Sequence, residues 1–439
     1  MTKKIKILIG IIAVMLIIYG ALLVMSSIKT KNPQANVFDV KSLFPSYGSN
    51  QQNNQPAGEV VENPGTFPDQ SAPDTNVQHL FLLSDQMIAG SGIIARQYPR
   101  PVDPNAPIVP VVVPKKGVKP APLPPTPMDT KYFVRFAEKA TSHINEWSAE
   151  TKIVSRISNT TIPKIQEAYF NSTGNNVLLR YFNEGSSQID TYGALIVPGK
   201  TKDELGHLIG NFFPYNISDL VVAPSKNRVF YVYPVNGDTV GTTSDFDGGN
   251  KKQVLSSKFS EWMPGWATPT AVTVTTKASR YFPGFMYAIP TTTSLNRIIG
   301  NITGLATLMS PDGTEVLYSD TTGVEPHLYI YNIKDGTKRD SGLHTLADKC
   351  AWASDSISFY CGVPAYFGND ILPDAWYQGT VSFSDELWRM NVNANISNVV
   401  LTPNNESHDF DITNIEIAQD QSLVTFIDKG TLTLWALEM

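Results

Sequence analysis

Hydrophobic and polar positions follow one recurring unit from about residue 76 to the end of the chain. A short apolar run leads into a polar tight turn, and a β-branched or aromatic run leads out of it. Residues 308–319 give the clearest copy: Leu308 and Met309, the turn Ser310-Pro311-Asp312-Gly313, then Val316, Leu317 and Tyr318. Proline presets φ at one turn position and glycine accepts a positive φ at another. Short apolar and alternating runs bounded by such turns mark β-strands, so each unit predicts a hairpin. Weaker copies follow the same plan. Tyr169 and Phe170 lead to Val177, Val221 and Val222 to Val229, and Trp262 and Met263 to Val272. Ala351 and Trp352 lead to Ile357, and Ile415 and Ile417 to Leu423.

The spacing of these units predicts the architecture. Their second strands start near 177, 229, 272, 316, 358 and 423. Most intervals are roughly 40–50 residues, the period of four-stranded propeller blades. Outer hairpins are expected at 240–246 and 328–333, each followed by a Gly-containing turn. Residues 87–95, 132–136, 144–147 and 153–157 predict a first blade, while 415–418, 423–427 and 431–435 supply only three strands of the last. Residues 79–83 form an orphan strand ahead of blade one. Placing it as the outermost strand of the last blade closes the ring and removes an open edge. The expected fold is therefore all-β, a single β-propeller over 77–439 with seven blades, six and eight being the alternatives.

Different patterns precede and interrupt this region. Residues 7–25 carry no charge and one polar residue, Tyr19, long enough for a helix to cross a bilayer core. Lys3, Lys4 and Lys6 precede the run, so residues 1–6 are expected to be a cytoplasmic end and the rest to be exported. A cleaved signal peptide is the rival reading. Residues 26–76 are rich in Asn, Gln, Pro, Gly and Ser and read as a disordered stalk. Residues 98–127 contain eleven prolines and read as a stiff extended loop inserted in the first blade. The expectation is a single-pass cell-membrane protein, anchored by its N-terminal helix, with an extracytoplasmic propeller.

Composition narrows the chemistry. A formal net charge of -6 gives no basic field, so nucleic acid is not expected as a partner. The two cysteines, Cys350 and Cys361, flank a hairpin centred between 355 and 356, which sets them directly opposite each other across two strands. Export permits oxidation, so they predict a structural disulfide. Asp245, Asp247 and Asn250 faintly resemble a calcium loop. The terminal Glu of such a loop is missing and Lys251 and Lys252 follow, so a hairpin turn is the simpler reading. Ser407, His408 and Asp409 do not converge if they lie in a strand. Trp262 and Trp266 read as core or channel lining. We find no catalytic motif, no metal set and no cofactor motif.

One segment falls outside the repeat. Between Tyr360 and Leu387 the sixth blade carries about twenty extra residues, among them Tyr366, Phe367, Asp370, Pro373, Asp374, Trp376, Tyr377 and Gln378. Aromatics with rim carboxylates suit a binding hot spot. The plainer alternative is a packed loop in which Trp376 caps the core.

The Ser310-Pro311-Asp312-Gly313 turn and the hairpin from Asp247-Gly248-Gly249-Asn250 through Leu255 resemble the WD40-like repeats of TolB-type bacterial propellers. The chain as a whole resembles uncharacterised single-anchor propeller proteins. The resemblance implies an envelope interaction module, whose partner is a protein, peptide or glycan, and it supplies no catalytic residue. A propeller hydrolase acting on envelope polysaccharide or peptide is the alternative. The two expectations differ in one observable. The module predicts an exposed aromatic patch beside the blade-six loop and no convergent titratable groups, whereas the hydrolase predicts two carboxylates, or a Ser/His pair, meeting at the mouth of the central channel.

Overall fold

The structure is a computed structural model that describes residues 79–100, 127–201, 203–224, 227–289, 295–403 and 409–439. The expected cytoplasmic end, membrane helix and stalk lie outside the described residues, as do most of the proline-rich segment and His408. Among the described residues no helix is long and apolar enough to cross a membrane.

Among the described residues, twenty-eight strands form seven antiparallel four-stranded sheets, the seven blades of a β-propeller. Strand β1 (His79–Ser84) precedes blade one, which is β2 (Ile88–Pro99), β3 (Met128–Glu138), β4 (Ile144–Ser148) and β5 (Val154–Arg156). Blade two is β6 (Ile165–Phe170), β7 (Asn176–Asn183), β8 (Gln188–Val197) and β9 (His207–Phe212). Blade three is β10 (Asp219–Val222), β11 (Arg228–Val235), β12 (Asp238–Asp245) and β13 (Lys252–Ser257). Blade four is β14 (Trp262–Trp266), β15 (Val272–Thr276), β16 (Pro283–Ile289) and β17 (Asn296–Thr303). Blade five is β18 (Thr307–Met309), β19 (Glu315–Asp320), β20 (His327–Asn332) and β21 (Lys338–Asp340). Blade six is β22 (Cys350–Trp352), β23 (Ser358–Pro364), β24 (Asp385–Asn391) and β25 (Ile396–Leu401). Blade seven is β26 (Ile412–Ile417), β27 (Leu423–Asp428) and β28 (Leu434–Glu438), with β1 as its outermost strand.

The closure follows the sequence pattern, with one correction. Leu82 pairs with Trp435 and Leu80 with Leu437, so β1 covers the edge of β28. The third strand of blade seven is Leu434–Glu438, not 431–435. The Asp428 carboxylate accepts from the backbone N–H groups of Gly430 and Thr431 and from the Thr431 hydroxyl, which extends the turn. Leu432 follows at φ 58°, still outside the strand. In blade one, β2 runs further than expected, and Pro99 stands opposite Met128.

The second strand of each blade lies between two neighbouring blades, and in β7, β11, β15, β19, β23 and β27 it is buried on both faces. Val229, Phe230, Tyr231 and Val232 are all fully buried, which explains why these strands read as continuous apolar runs. The cores form between blades. Phe230 and Val232 of blade three join Trp262 and Val274 of blade four in one cluster, and Leu317 and Ile330 of blade five join Phe359 and Met390 of blade six in another. Trp262 and Trp266 are core residues, as expected. No blade buries its apolar faces alone, which is the usual economy of repeat folds.

The inner hairpin turns are built as the sequence implied. Gly313 takes φ 74°, Asp312 accepts from the Ser310 hydroxyl and the Thr314 N–H, and the Ser310 hydroxyl accepts from the Glu315 N–H. Asp245, Asp247 and Asn250 form a hairpin turn in which the Asn250 amide donates to Asp245 and the Gly249 N–H to Asp247. No cluster that would hold a metal ion occurs among the described residues. Cys350 and Cys361 are cross-strand partners joined by a disulfide, with Cα atoms 4.1 Å apart.

Candidate functional site

In each blade, the link entering the inner strand and the link from second to third strand open on the same face. On that face blade six carries an insertion, residues 365–384, between β23 and β24. Its centre is a single helical turn, α1 (Asp374–Tyr377). Pro373 stands at its start, where a missing N–H costs nothing, and Gly379 at φ 72° ends it with its N–H on the Trp376 carbonyl.

The insertion has its own small core. Leu346, Leu372, Trp376 and Phe383 are buried together, with Phe367 and Tyr377 packed against them. Trp376 is only 5% exposed. Its indole N–H donates to both Asp411 carboxylate oxygens at 3.1 and 3.0 Å. Trp376 is therefore the capping residue of a packed loop rather than an exposed anchor. An indole with a buried carboxylate partner is satisfied only from within. Tyr377 donates its hydroxyl to Asp348. Asp374 accepts from the Ser279 hydroxyl at 2.9 Å and from the Arg280 N–H at 2.7 Å, both in the second-to-third link of blade four. Blade five lies between, so the insertion straps across it.

This strap closes one side of a cleft of about 840 Å³. Asp374, Tyr377 and Gln378 form the blade-six side, and Trp262, Phe282, Phe285 and Tyr287 form much of the blade-four side. Phe259 stacks edge-on against Trp262 at 4.8 Å between ring centroids, and Trp262 against Tyr287 at 5.9 Å. Phe282 is 73% exposed at the rim. Glu261, Lys277, Ser279 and Gln378 supply polar groups around an apolar wall. The cleft thus takes Asp374, Tyr377 and Gln378 from the expected set. It leaves out Tyr366, Phe367, Asp370 and Trp376: Tyr366 is 74% exposed and Asp370 also faces solvent, while Phe367 is half-buried and Trp376 buried. The blade-four wall had no motif to announce it. The aromatic run Tyr281, Phe282 and Phe285 beside Trp262 was the available signal.

Titratable groups do converge, against the expectation for a plain interaction module. Glu167, Asp219, Asp348 and Glu416 lie on or just before the inner strands of blades two, three, six and seven. Burial pushes the Asp219 carboxyl up to about 6, Arg180 opposes this, and Glu167 and Asp348 add to it. Burial also raises Asp348 and Glu416. Each acid has a partner. Glu167 accepts from Arg180 and from the Tyr169 hydroxyl, Asp219 from the Leu220 N–H, Asp348 from Tyr377, and Glu416 from the Ile93 N–H at 2.7 Å. Two cavities of about 470 and 340 Å³ run along these inner strands, the first lined by Asp348 and the second by Glu167 and Glu416.

No family model matches the chain. No curated protein matches it either. Solved structures do. An oligogalacturonate lyase in complex with manganese is 8% identical, covers 70% of this chain and 86% of its own, and superposes with a TM-score of 0.44. An oligogalacturonate lyase from Vibrio parahaemolyticus is 9% identical over the same shares, also with a TM-score of 0.44. TolB from Acinetobacter baumannii is 12% identical, covers 70% of this chain and 76% of its own, and has a TM-score of 0.38. Identities and scores this low transfer no residue roles and no activity.

Proposed function

We propose that this chain is an envelope binding module whose ligand, a peptide or glycan chain, lies in the cleft between blade four and the blade-six insertion. The observation that carries this reading is the cleft itself. It has the volume of a ligand site, an apolar aromatic wall and a few polar groups at its edge. Aromatic faces offer large contact area at little entropic cost. In this reading residues 7–25 anchor the propeller, residues 26–76 hold it off the bilayer, and the disulfide fits an oxidising compartment outside the cytoplasm. The test is binding of detergent-solubilised full-length protein to arrays of envelope polysaccharide fragments and peptides, beside the Phe282→Ala/Gln378→Ala variant. Retention on a defined ligand that the variant loses supports the cleft; equal retention removes it.

A second reading rests on the channel carboxylates. A carboxyl held near pH 6 beside two further acids is suited to general acid chemistry. If the protein is a hydrolase of envelope polysaccharide or peptide, Asp219→Asn abolishes release of reducing ends or new amines from the same ligands. Unchanged release by the variant rules this reading out.

A further inference from the structure

At the seam of blades six and seven, three charged side chains are sealed from solvent. Lys349, Asp385 and Asp411 are each at most 1% exposed. Lys349 ends a single 3-10 turn (Ala347–Lys349) that leads into β22, Asp385 opens β24, and Asp411 precedes β26. The Lys349 Nζ lies 2.7 Å from Asp385 Oδ2 and also donates to Asp411 Oδ1. The surrounding walls are aromatic, with Nζ 5.0 Å from the Trp376 ring centre and 5.2 Å from that of Phe383.

The two carboxyls are not equivalent. Asp411 accepts from the Trp376 indole N–H on both oxygens and from the Ser382 hydroxyl at 3.2 Å. Asp385 Oδ2 accepts from Lys349 and from the Ile412 N–H at 2.6 Å, while its Oδ1 is buried with no partner among the described residues. That bare oxygen is a place for a proton, and burial raises the Asp385 carboxyl to about 6. Lys429, half-buried with its Nζ 4.0 Å from the Trp376 ring centre, is a second ammonium that acts electrostatically on Asp411 and Lys349. Burial favours the protonated form of Asp385, which suits it to take and give a proton.

We propose that Lys349 and Asp411 are joined by an intramolecular isopeptide bond, formed with Asp385 as proton carrier. Lys349 passes its extra proton through Asp385 to Asp411 Oδ1, which becomes the leaving hydroxyl, and the amine attacks Cγ of Asp411. The Trp376 N–H and Ser382 hydroxyl donate to the oxygen on which charge gathers. Asp385 relays a proton from nitrogen to the departing hydroxyl. One C–N bond forms and one C–O bond breaks. The ammonium gives up two hydrogens and the carboxylate one oxygen, which leave as water, and nothing is oxidised or reduced. The fold holds the partners in contact, which supplies the effective concentration that free side chains lack. The bond ties two neighbouring blades covalently across a span of 62 residues that includes the whole insertion.

Peptide mapping by mass spectrometry on the full-length, disulfide-reduced protein tests this. The expected result is a branched peptide linking Lys349 to Asp411, lighter than its two components by one water, with tryptic cleavage after Lys349 lost. Lys349→Arg removes the branch, and Asp385→Asn leaves the two peptides separate while the Cys350–Cys361 disulfide, mapped without reduction, reports the fold. Separate peptides in the folded wild-type protein overturn the proposal. So does a water loss that survives Lys349→Arg, because the dehydration would then lie elsewhere.

Discussion

The disulfide makes the sharpest quantitative prediction about this fold. Cys350 and Cys361 are 11 positions apart and close the inner hairpin of blade six. In the chain-entropy description, a loop of this length removes about 9 cal/mol/K from the unfolded ensemble, or about 2.8 kcal/mol at 25 °C. An unfolding entropy of about 0.8 kcal/mol/K for a domain of this size converts that into a fall of 3–4 °C, approximately, in the midpoint. Both sulfurs sit in the core cluster shared by blades five and six, so Cys→Ser would add buried hydroxyls and confound the result. Reduction of the wild-type protein is the cleaner perturbation. The assay is thermal unfolding of full-length protein with and without reductant, followed by circular dichroism, with trapped thiols counted to show that the bond has opened. A midpoint unmoved by complete reduction would refute the entropic reasoning. A fall well beyond 10 °C, roughly three times the entropic figure, would show that the blade depends on the bond for its assembly.

Other consequences follow from the site. Trp376→Ala should cost about 3–5 kcal/mol by cavity formation, and Trp376→Phe less, because a phenyl ring still fills part of the site while the bonds to Asp411, about 1.5–3 kcal/mol, are lost; urea unfolding separates the two. Asp374→Ala removes the clamp on Ser279 and Arg280, so amide exchange across 371–380 should quicken about tenfold or more while the inner strands stay protected. The acids give opposite pH slopes. The raised Asp219 carboxyl binds its proton more tightly in the folded state, so its contribution is fully present below about pH 4 and is lost as pH rises through about 6. Asp219→Asn should remove that slope from a series of urea midpoints. Burial pushes Glu146 up, but hydrogen bonds from Arg96 and Arg135 outweigh it and hold it below the usual range. Its stabilisation is therefore present above about pH 4 and lost as pH falls through the depressed value, and Glu146→Gln should flatten the acid limb.

Much of the fold was legible because it rests on local rules. The Ser310-Pro311-Asp312-Gly313 turn carries its own hydrogen bonds, so its hairpin could be read from a dozen residues. The hairpin centre between 355 and 356 was enough to set Cys350 against Cys361. The closing role of β1 followed from counting strands. Boundaries failed where a side chain changed the local balance, as when Asp428 held 429–433 in a turn. The candidate site was only half legible. Asp374 meets Ser279 across 95 residues of chain, and Trp376 meets Asp411 across 35. No periodicity within a blade encodes such contacts. An aromatic-rich insertion looks the same in sequence whether its tryptophan faces solvent or a buried carboxylate, and here the carboxylate decided it. The channel acids were invisible for the same reason, since each comes from a different blade.

The central claim is that ligand enters the cleft between blade four and the blade-six insertion. Hydrogen–deuterium exchange of the full-length protein, with and without the ligand retained on the arrays, tests it most directly. The account predicts joint protection of 259–262, 276–287 and 374–378, because these segments form the two walls. Protection confined to the inner strands around Glu167 and Asp219, or to the outer strands of any blade, would contradict it.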